Sequence, residues 1–167
     1  DETLMRVKKL VAIEKKFDGL IFPGWLPTCG MANKAIENGI KVMVFNCDCN
    51  PELERVACLQ PDPAEPGISA ARAVAKDLNK SGNVAILYGD LAIGSNSDRY
   101  ESFKKELSNY KDIKIVEEVF VKDNDDGTHD PAFEFLKRNN DVQAIFVTNG
   151  FPCSVARAIE ETGKVGK

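Results

Sequence analysis

The chain contains the same strand, loop and helix pattern twice. Residues 84–88 form a short apolar run that leads through a glycine-bounded loop into an amphipathic segment, and residues 144–148 begin a second such unit. Short apolar runs bounded by glycine are typical of parallel strands buried on both faces. Open α/β sheets bind small ligands at the carboxyl ends of their strands. The first candidates for a binding site are therefore the polar residues after these strands: Asn96, Asp98, Arg99 and Asn149.

The rest of the chain continues this alternation of strands and helices. Further strands are expected at 18–22, 41–45, 55–59 and 113–121, and helices at 4–16, 31–38, 67–80, 97–110, 131–138 and 155–162. Such alternation predicts an α/β fold with parallel sheets and right-handed crossovers. The proline-rich stretch 60–67 interrupts the pattern, and exposed segments of this kind connect compact units. We expect 1–66 in an N-terminal lobe, 67–82 as a crossing helix and 83–167 in a C-terminal lobe.

Composition and charge indicate an ordinary globular protein. Of 167 residues, 43% are hydrophobic and 29% are charged, and the formal net charge is −4 with no basic block. A nucleic-acid footprint is therefore not expected within this chain. Apolar stretches stay below the roughly 18 residues of a membrane span. The chain starts without Met and stops just after a predicted helix, so we expect it to be a fragment.

The cysteines predict free thiols rather than a disulfide framework or a metal site. Five cysteines are an odd number without framework spacing, which favours a reducing, cytoplasmic compartment. Cys47 and Cys49 lack the two-residue spacer of a zinc pair, and His129 is the only histidine. No metal is expected.

Two loops imitate known cofactor motifs without their decisive residues. Gly89 to Gly94 has the four-residue gap of a phosphate-binding loop, but Ser95 and Asn96 stand where lysine and a hydroxyl residue should follow. The helix start after this loop can still accept a polar ligand oxygen. The acidic segment 123–127 lacks the closing glutamate of a calcium loop, which favours a solvated turn. The sequence therefore predicts no cofactor.

Six segments in order resemble one known superfamily. They are 18–22, 33–45, Asp62 with Gly67 and Ala70-Ala71, 82–87, Asp98-Arg99 with Phe103, and 141–149. Together they are similar to the type I periplasmic-binding-protein fold, which bacterial sugar-binding transport proteins share with the effector domains of lactose-repressor-type regulators. The resemblance covers nearly the whole chain. It implies two Rossmann-like lobes, with parallel sheets flanked by helices, that close on a ligand in proteins much longer than this chain.

The resemblance also implies roles for single residues. Arg99 matches the arginine that clamps sugar hydroxyls, Asn149 matches the asparagine after the third strand of the second lobe, and Asp62 matches the acidic residue before the crossing. A guanidinium presents fixed donors and Asp and Asn accept hydroxyl protons, so together they suit a polyol. Without the family, Arg99 could instead pair with a surface carboxylate such as Asp98, and Asn149 with Gly150 could form only a turn.

Three further positions bear on the ligand. Trp25 and Phe22 could stack on a sugar face or only fill the wall of the cleft. Cys47 stands where sugar binders often have a charged contact, and Gly150 stands where they often have Asp. These departures from the family pattern leave the identity of the sugar open.

Two function classes follow from the resemblance. The preferred interpretation is the effector-sensing domain of a cytoplasmic transcription regulator, which would contact DNA through a domain absent from this fragment and could form a homodimer. The alternative is an extracytoplasmic, lipid-anchored receptor that delivers its ligand to a membrane permease. Either binds a small polar, sugar-like ligand. An enzyme is not expected, because the lone His129 has no nucleophile beside it in a predicted cleft.

Overall fold

A computed structural model describes residues 17–24, 26–46 and 54–166. Within these residues the chain forms two compact units. The first comprises the described residues up to Pro63 together with Ile93–Ser95, and the second comprises Ala64–Ala92 and the described residues from Asn96 onward. The expected helix at 4–16 lies outside the described residues.

Within the described residues, the first unit contains one parallel sheet and one complete helix. Strand β1 (Gly19–Pro23) is followed by helix α1 (Leu26–Glu37), strand β2 (Lys41–Phe45) and the short strand β3 (Ala57–Leu59). The sheet order is β1-β2-β3, and both strand pairs are parallel. Helix and sheet bury a small apolar core made of Phe22, Ala32, Ala35, Ile40, Val42 and Val44.

The second unit contains a second parallel sheet between helices. It comprises α2 (Glu65–Asp77), β4 (Ser81–Tyr88), α3 (Gly94–Leu107) from Asn96 onward, β5 (Asp112–Phe120), α4 (Asp125–Arg138), β6 (Ala144–Val147) and α5 (Pro152–Glu161). Strand β4 lies in the middle of the order β5-β4-β6, and both pairings are parallel. Two separate three-stranded sheets confirm the expected arrangement of six parallel strands.

Strand β4 is buried on both faces, as its continuous apolar run predicts. Ala85 and Leu87 pack on one side of the sheet, whereas Val84 and Ile86 pack on the other. All four side chains are fully inaccessible to solvent. Since each fully buried aliphatic side chain larger than Ala contributes roughly 1.5–3 kcal/mol, this strand anchors both layers of helices.

Helix α2 packs within the second unit against α3. Its small residues Ala71 and Ala75 share a core cluster with Val84 and Phe103. At Gly67 the two helices are so close that a Cβ atom would lie 2.4 Å from the carbonyl oxygen of Arg99. The division into lobes and a crossing helix at 66 and 82 stays a prediction about the longer protein.

Helix α4 begins six residues earlier than the sequence pattern predicts. Asn124 caps it by accepting a hydrogen bond from the amide of Gly127 at 2.7 Å, and acidic residues fill the first turn. The expected start was Pro131, which instead lies inside the helix. Proline cannot donate to the carbonyl four residues before it, and here the amide of Lys122 bonds that carbonyl of Gly127 at 3.0 Å. The loop therefore satisfies the bond that proline removes.

Candidate functional site

The carboxyl ends of three adjacent strands bring the candidate residues together in the second unit. Strands β5, β4 and β6 lie side by side and run in the same direction, so the residues after them share one edge of the sheet. Gly89 follows β4, Asp123 follows β5 and Thr148 follows β6. The start of α3, with Asn96 and Arg99, comes back to the same edge.

Thr148 connects two of these strand ends to Arg99. The Thr148 hydroxyl accepts a hydrogen bond from the amide of Gly89 at 3.0 Å, and its carbonyl oxygen accepts one from the Arg99 guanidinium at 2.9 Å. Thr148 itself is fully buried, and its amide donates to the carbonyl of Leu87. One nitrogen of the guanidinium is therefore held in place by the backbone of β6, rather than by the neighbouring carboxylate of Asp98.

Asn96 is the most buried polar side chain at the start of α3. It is 4% exposed, and its Nδ2 atom donates to the carbonyl oxygen of Asp90 at 3.2 Å. This amide lies over Gly89, where the position of a Cβ atom would be only 2.7 Å from Nδ2. Glycine at position 89 is therefore what lets the Asn96 side chain fold back over the end of β4.

The side chain of Asn149 is bound on all sides by its own unit. Its Nδ2 atom donates to the Thr128 hydroxyl at 2.9 Å and to the carbonyl of Lys122 at 3.4 Å, while its Oδ1 atom accepts from the amide of Phe151 at 3.1 Å. Only 6% of the residue is exposed. These bonds tie the ends of β5 and β6 together, and a ligand contact by Asn149 stays a prediction.

The other predicted site residues lie apart from this cluster. Trp25 and Cys47 are outside the described residues. Asp62 is exposed and belongs to the first unit, between β3 and α2. Asp98 is exposed on α3, where its carbonyl accepts a hydrogen bond from the Ser102 hydroxyl at 2.6 Å. Of the six predicted ligand contacts, the structure brings Asn96, Arg99 and Asn149 to one sheet edge.

The sequence interpretation missed Asp123. Its two carboxylate oxygens each lie 3.1 Å from where a Gly89 Cβ atom would stand, next to the Asn96 amide. A signal was available, because Asp123 follows an alternating strand in the same way that Asn149 follows β6. The calcium-loop pattern alone indicates only a solvated turn at 123–127 and does not point to a ligand contact.

Charged side chains fasten α4 to α5 beside this edge. Asp125 accepts hydrogen bonds from the Ser154 hydroxyl and, at 3.1 Å, from the Arg157 guanidinium, and these bonds hold the pKa of Asp125 below its usual range. His129 bonds Asp130 through Nδ1 at 2.9 Å and Glu161 through Nε2 at 3.0 Å. The hydrogen bond to Asp130 has the largest effect and raises the pKa of His129, burial opposes it, and the hydrogen bond to Glu161 raises the pKa further. Apart from the bond between the neighbouring residues His129 and Asp130, these contacts join α4 to α5.

The described residues contain neither a metal-binding cluster nor a membrane-spanning helix. Residues 17–24, 26–46 and 54–166 contain no group of three or more His, Cys, Asp or Glu side chains that could hold a metal ion. No helix in this part of the chain is long and apolar enough to cross a membrane.

A groove of about 510 Å³ lies along β6 and α5. Its lining combines apolar residues such as Val142 and Ile145 with polar ones such as Asn139, Gln143 and Lys164, and it includes none of the predicted ligand contacts that the structure describes. The groove runs along β6 and α5, whereas open α/β sheets bind small ligands at the carboxyl ends of their strands. The polar edge at the ends of β4, β5 and β6 therefore remains the candidate site.

The sequence matches one family over nearly its whole length. Residues 11–167 match the family described as periplasmic binding protein domain. This chain belongs to that family. The resemblance read from six sequence segments is thereby confirmed, and so is the α/β fold with two parallel sheets. None of the curated proteins matches the chain by sequence.

Solved structures of sugar-binding and solute-binding proteins superpose closely on the chain. A glucose-galactose binding protein, GanP from Geobacillus stearothermophilus, is 28% identical with a TM-score of 0.85, and the match covers 98% of this chain and 59% of that one. An ABC transporter solute-binding protein from Burkholderia graminis in complex with D-arabinose is 23% identical with a TM-score of 0.84, covering 96% and 56%.

A third is an ABC transporter solute-binding protein from Bacillus halodurans with bound myo-inositol, at 19% identity and a TM-score of 0.85, covering 98% and 57%. The chain thus spans between half and two thirds of the length of these binding proteins.

Proposed function

We propose that this chain is part of a receptor that binds a small neutral sugar or polyol and delivers it to an ABC transporter. The observation that carries the proposal is the hydrogen-bonded edge in the second unit, where Thr148 fixes both Arg99 and the backbone of Gly89. One guanidinium nitrogen is engaged there, which leaves further donors for ligand hydroxyls. GanP, at 28% identity, supports the sugar class.

The transport receptor is preferred to the transcription regulator for one reason. The solved relatives from Burkholderia graminis and Bacillus halodurans are described as solute-binding proteins of ABC transporters. This favours the alternative of the sequence interpretation over its main choice, and it favours an extracytoplasmic location over the cytoplasm. The regulator was preferred on cysteine number alone, and an odd number of thiols is a weaker indication than these relatives.

The proposal names no catalytic step. His129, the only histidine, bonds the carboxylates of Asp130 and Glu161 on the outer side of α4 and α5, so both ring nitrogens are occupied. Binding and release of the ligand are therefore the proposed activity, with a membrane permease as the proposed partner.

Binding is tested by isothermal titration calorimetry on the full-length protein with a panel of sugars and polyols. Arg99→Ala removes several donors at once and leaves ligand hydroxyls unpaired, which should cost roughly 2–4 kcal/mol, or about a 30- to 1000-fold weaker Kd. Arg72→Ala is the matched control, because Arg72 is exposed on α2 and pairs with Glu106. If a panel ligand binds the Arg99→Ala variant as tightly as it binds the wild type, the assignment of Arg99 to the site is wrong.

Location can be measured on intact cells. Cys153 has an exposed thiol in the first turn of α5. A maleimide that cannot cross membranes should label Cys153 in cells whose outer envelope is permeabilised while the inner membrane stays intact. Mass spectrometry of the peptide that contains Cys153 detects the label, and the Cys153→Ser variant is the control. Labelling that occurs only after the inner membrane is broken would indicate a cytoplasmic location and favour the regulator.

A further inference from the structure

The loop after β5 contains an acidic residue, Asp123, that lies at the candidate site. Its side chain has no structural role among the described residues. Within the segment 123–126, Asn124 caps α4 and Asp125 bonds Ser154 and Arg157. Asp123 makes no hydrogen bond or ion pair with any residue that the structure describes. Its carboxylate nevertheless has a defined place, because it lies against the backbone of Gly89.

Three polar groups lie close to Gly89: the Asn96 amide, the Asp123 carboxylate and the Thr148 hydroxyl. A Cβ atom at this position would be 2.7 Å from the Asn96 amide nitrogen and 3.1 Å from both carboxylate oxygens of Asp123. The backbone of Gly89 is itself fixed, since its amide donates to the Thr148 hydroxyl. The missing side chain therefore creates a small space in which an amide and a carboxylate lie close together on an immobile strand end.

The Arg99 guanidinium belongs to the same rigid frame. It bonds the carbonyl oxygen of Thr148, the residue that also holds Gly89. An arginine offers only donors, a carboxylate only acceptors, and an asparagine both. Adjacent hydroxyl groups of a sugar match this set, because one hydroxyl can accept from the guanidinium while its neighbour donates to the carboxylate. Charge-assisted bonds of this type are about twice as strong as neutral ones.

We propose that Asp123 is a specificity-determining residue of the sugar site: its carboxylate accepts a hydrogen bond from a ligand hydroxyl and repels ligands that have an acidic group at that position. The inference rests on the proposed function. It selects neutral sugars and polyols over sugar acids and sugar phosphates, which Arg99 alone would attract. Repulsion between a fixed carboxylate and a ligand anion is the kind of unfavourable contact that produces such discrimination.

The test compares Asp123→Asn with Asp126→Asn in the full-length protein. Both variants remove one exposed negative charge from the segment 123–126, but only Asp123 lies against Gly89, whereas Asp126 is in the first turn of α4. Calorimetry uses D-glucose, D-galactose, D-arabinose and myo-inositol as neutral ligands, and D-glucuronate and glucose 6-phosphate as acidic ones. For the neutral ligand that binds most tightly, Asp123→Asn should weaken binding, with a Kd about 10- to 100-fold higher. The ratio of the Kd for the acidic ligands to the Kd for this neutral ligand should also fall. Asp126→Asn should change neither quantity.

A second variant acts through space instead of charge. The methyl group of Gly89→Ala must displace the Asn96 amide and the Asp123 carboxylate, which are the ends of side chains, so the fold should persist while binding weakens at least as much as in Asp123→Asn. Thermal melting of each variant confirms folding. If the wild type binds neutral ligands and both variants bind them equally well, the role of Asp123 is refuted and the proposed function stands. If the wild type binds no panel ligand, the proposed function fails and this inference fails with it.

Discussion

The contact between α2 and α3 predicts that Gly67→Ala destabilises the protein although alanine is the better helix former. An added Cβ atom would lie 2.4 Å from the carbonyl oxygen of Arg99 and 2.8 Å from the amide nitrogen of Phe103, and both are backbone atoms of a packed helix. Ordinary contacts begin near 3.4 Å, so the two helices must separate by about 1 Å. The Ser102 hydroxyl, at 2.1 Å, must move as well.

The magnitude follows from two opposing effects. Overpacking a tight contact costs typically 1–3 kcal/mol, and two rigid backbones place Gly67→Ala near the upper value. Replacing glycine by alanine within a helix stabilises the helix by about 1 kcal/mol. The net loss is therefore about 2 kcal/mol, which lowers the melting temperature of a protein of this size by about 4–8 °C.

Gly30→Ala is the matched control for this prediction. Gly30 lies in α1, and among the described residues no atom outside the nearby backbone of this helix is within 4 Å of its missing Cβ atom. Only the helix preference acts there, so Gly30→Ala should be neutral or stabilising by up to about 1 kcal/mol. Urea unfolding monitored by circular dichroism measures both variants. A Gly67→Ala protein as stable as the wild type would show that α2 and α3 are not in the contact described here.

Two further predictions concern α4. Asn124→Ala removes the cap on Gly127 and should destabilise the protein by about 1 kcal/mol, measured by urea unfolding, with the exposed loop residue Asn109→Ala as a near-neutral control. The raised pKa of His129 means that its protonated form stabilises the fold at pH below the ordinary value of 6.5, and that this contribution disappears as the pH rises through the higher folded value. The difference in unfolding free energy between wild type and His129→Gln should therefore be larger at pH 6 than at pH 9, and an equal difference at both would contradict the assignment.

The local pattern of the sequence determined the fold class and the edge of the sheet where the site lies. Apolar runs such as 84–88 bury both faces of a strand, and this requirement can be read without knowing the partners of the strand. The position of Asn96 and Arg99 just after such a strand follows from chain direction alone. The helix around Pro131 was placed too late, because the missing bond of proline is compensated by Lys122, which lies outside the helix.

Only the tertiary structure decided what each polar residue at that edge does. Asn149 and Asp123 follow β6 and β5, the two strands on either side of β4. Asn149 is surrounded by Thr128, Lys122 and Phe151, whereas Asp123 lies against Gly89 with no partner among the described residues. Their difference depends on contacts across as many as 34 positions of chain, and no local pattern records such contacts. A hydrogen bond is a property of two atoms, so the role of one side chain stays open until the other is placed.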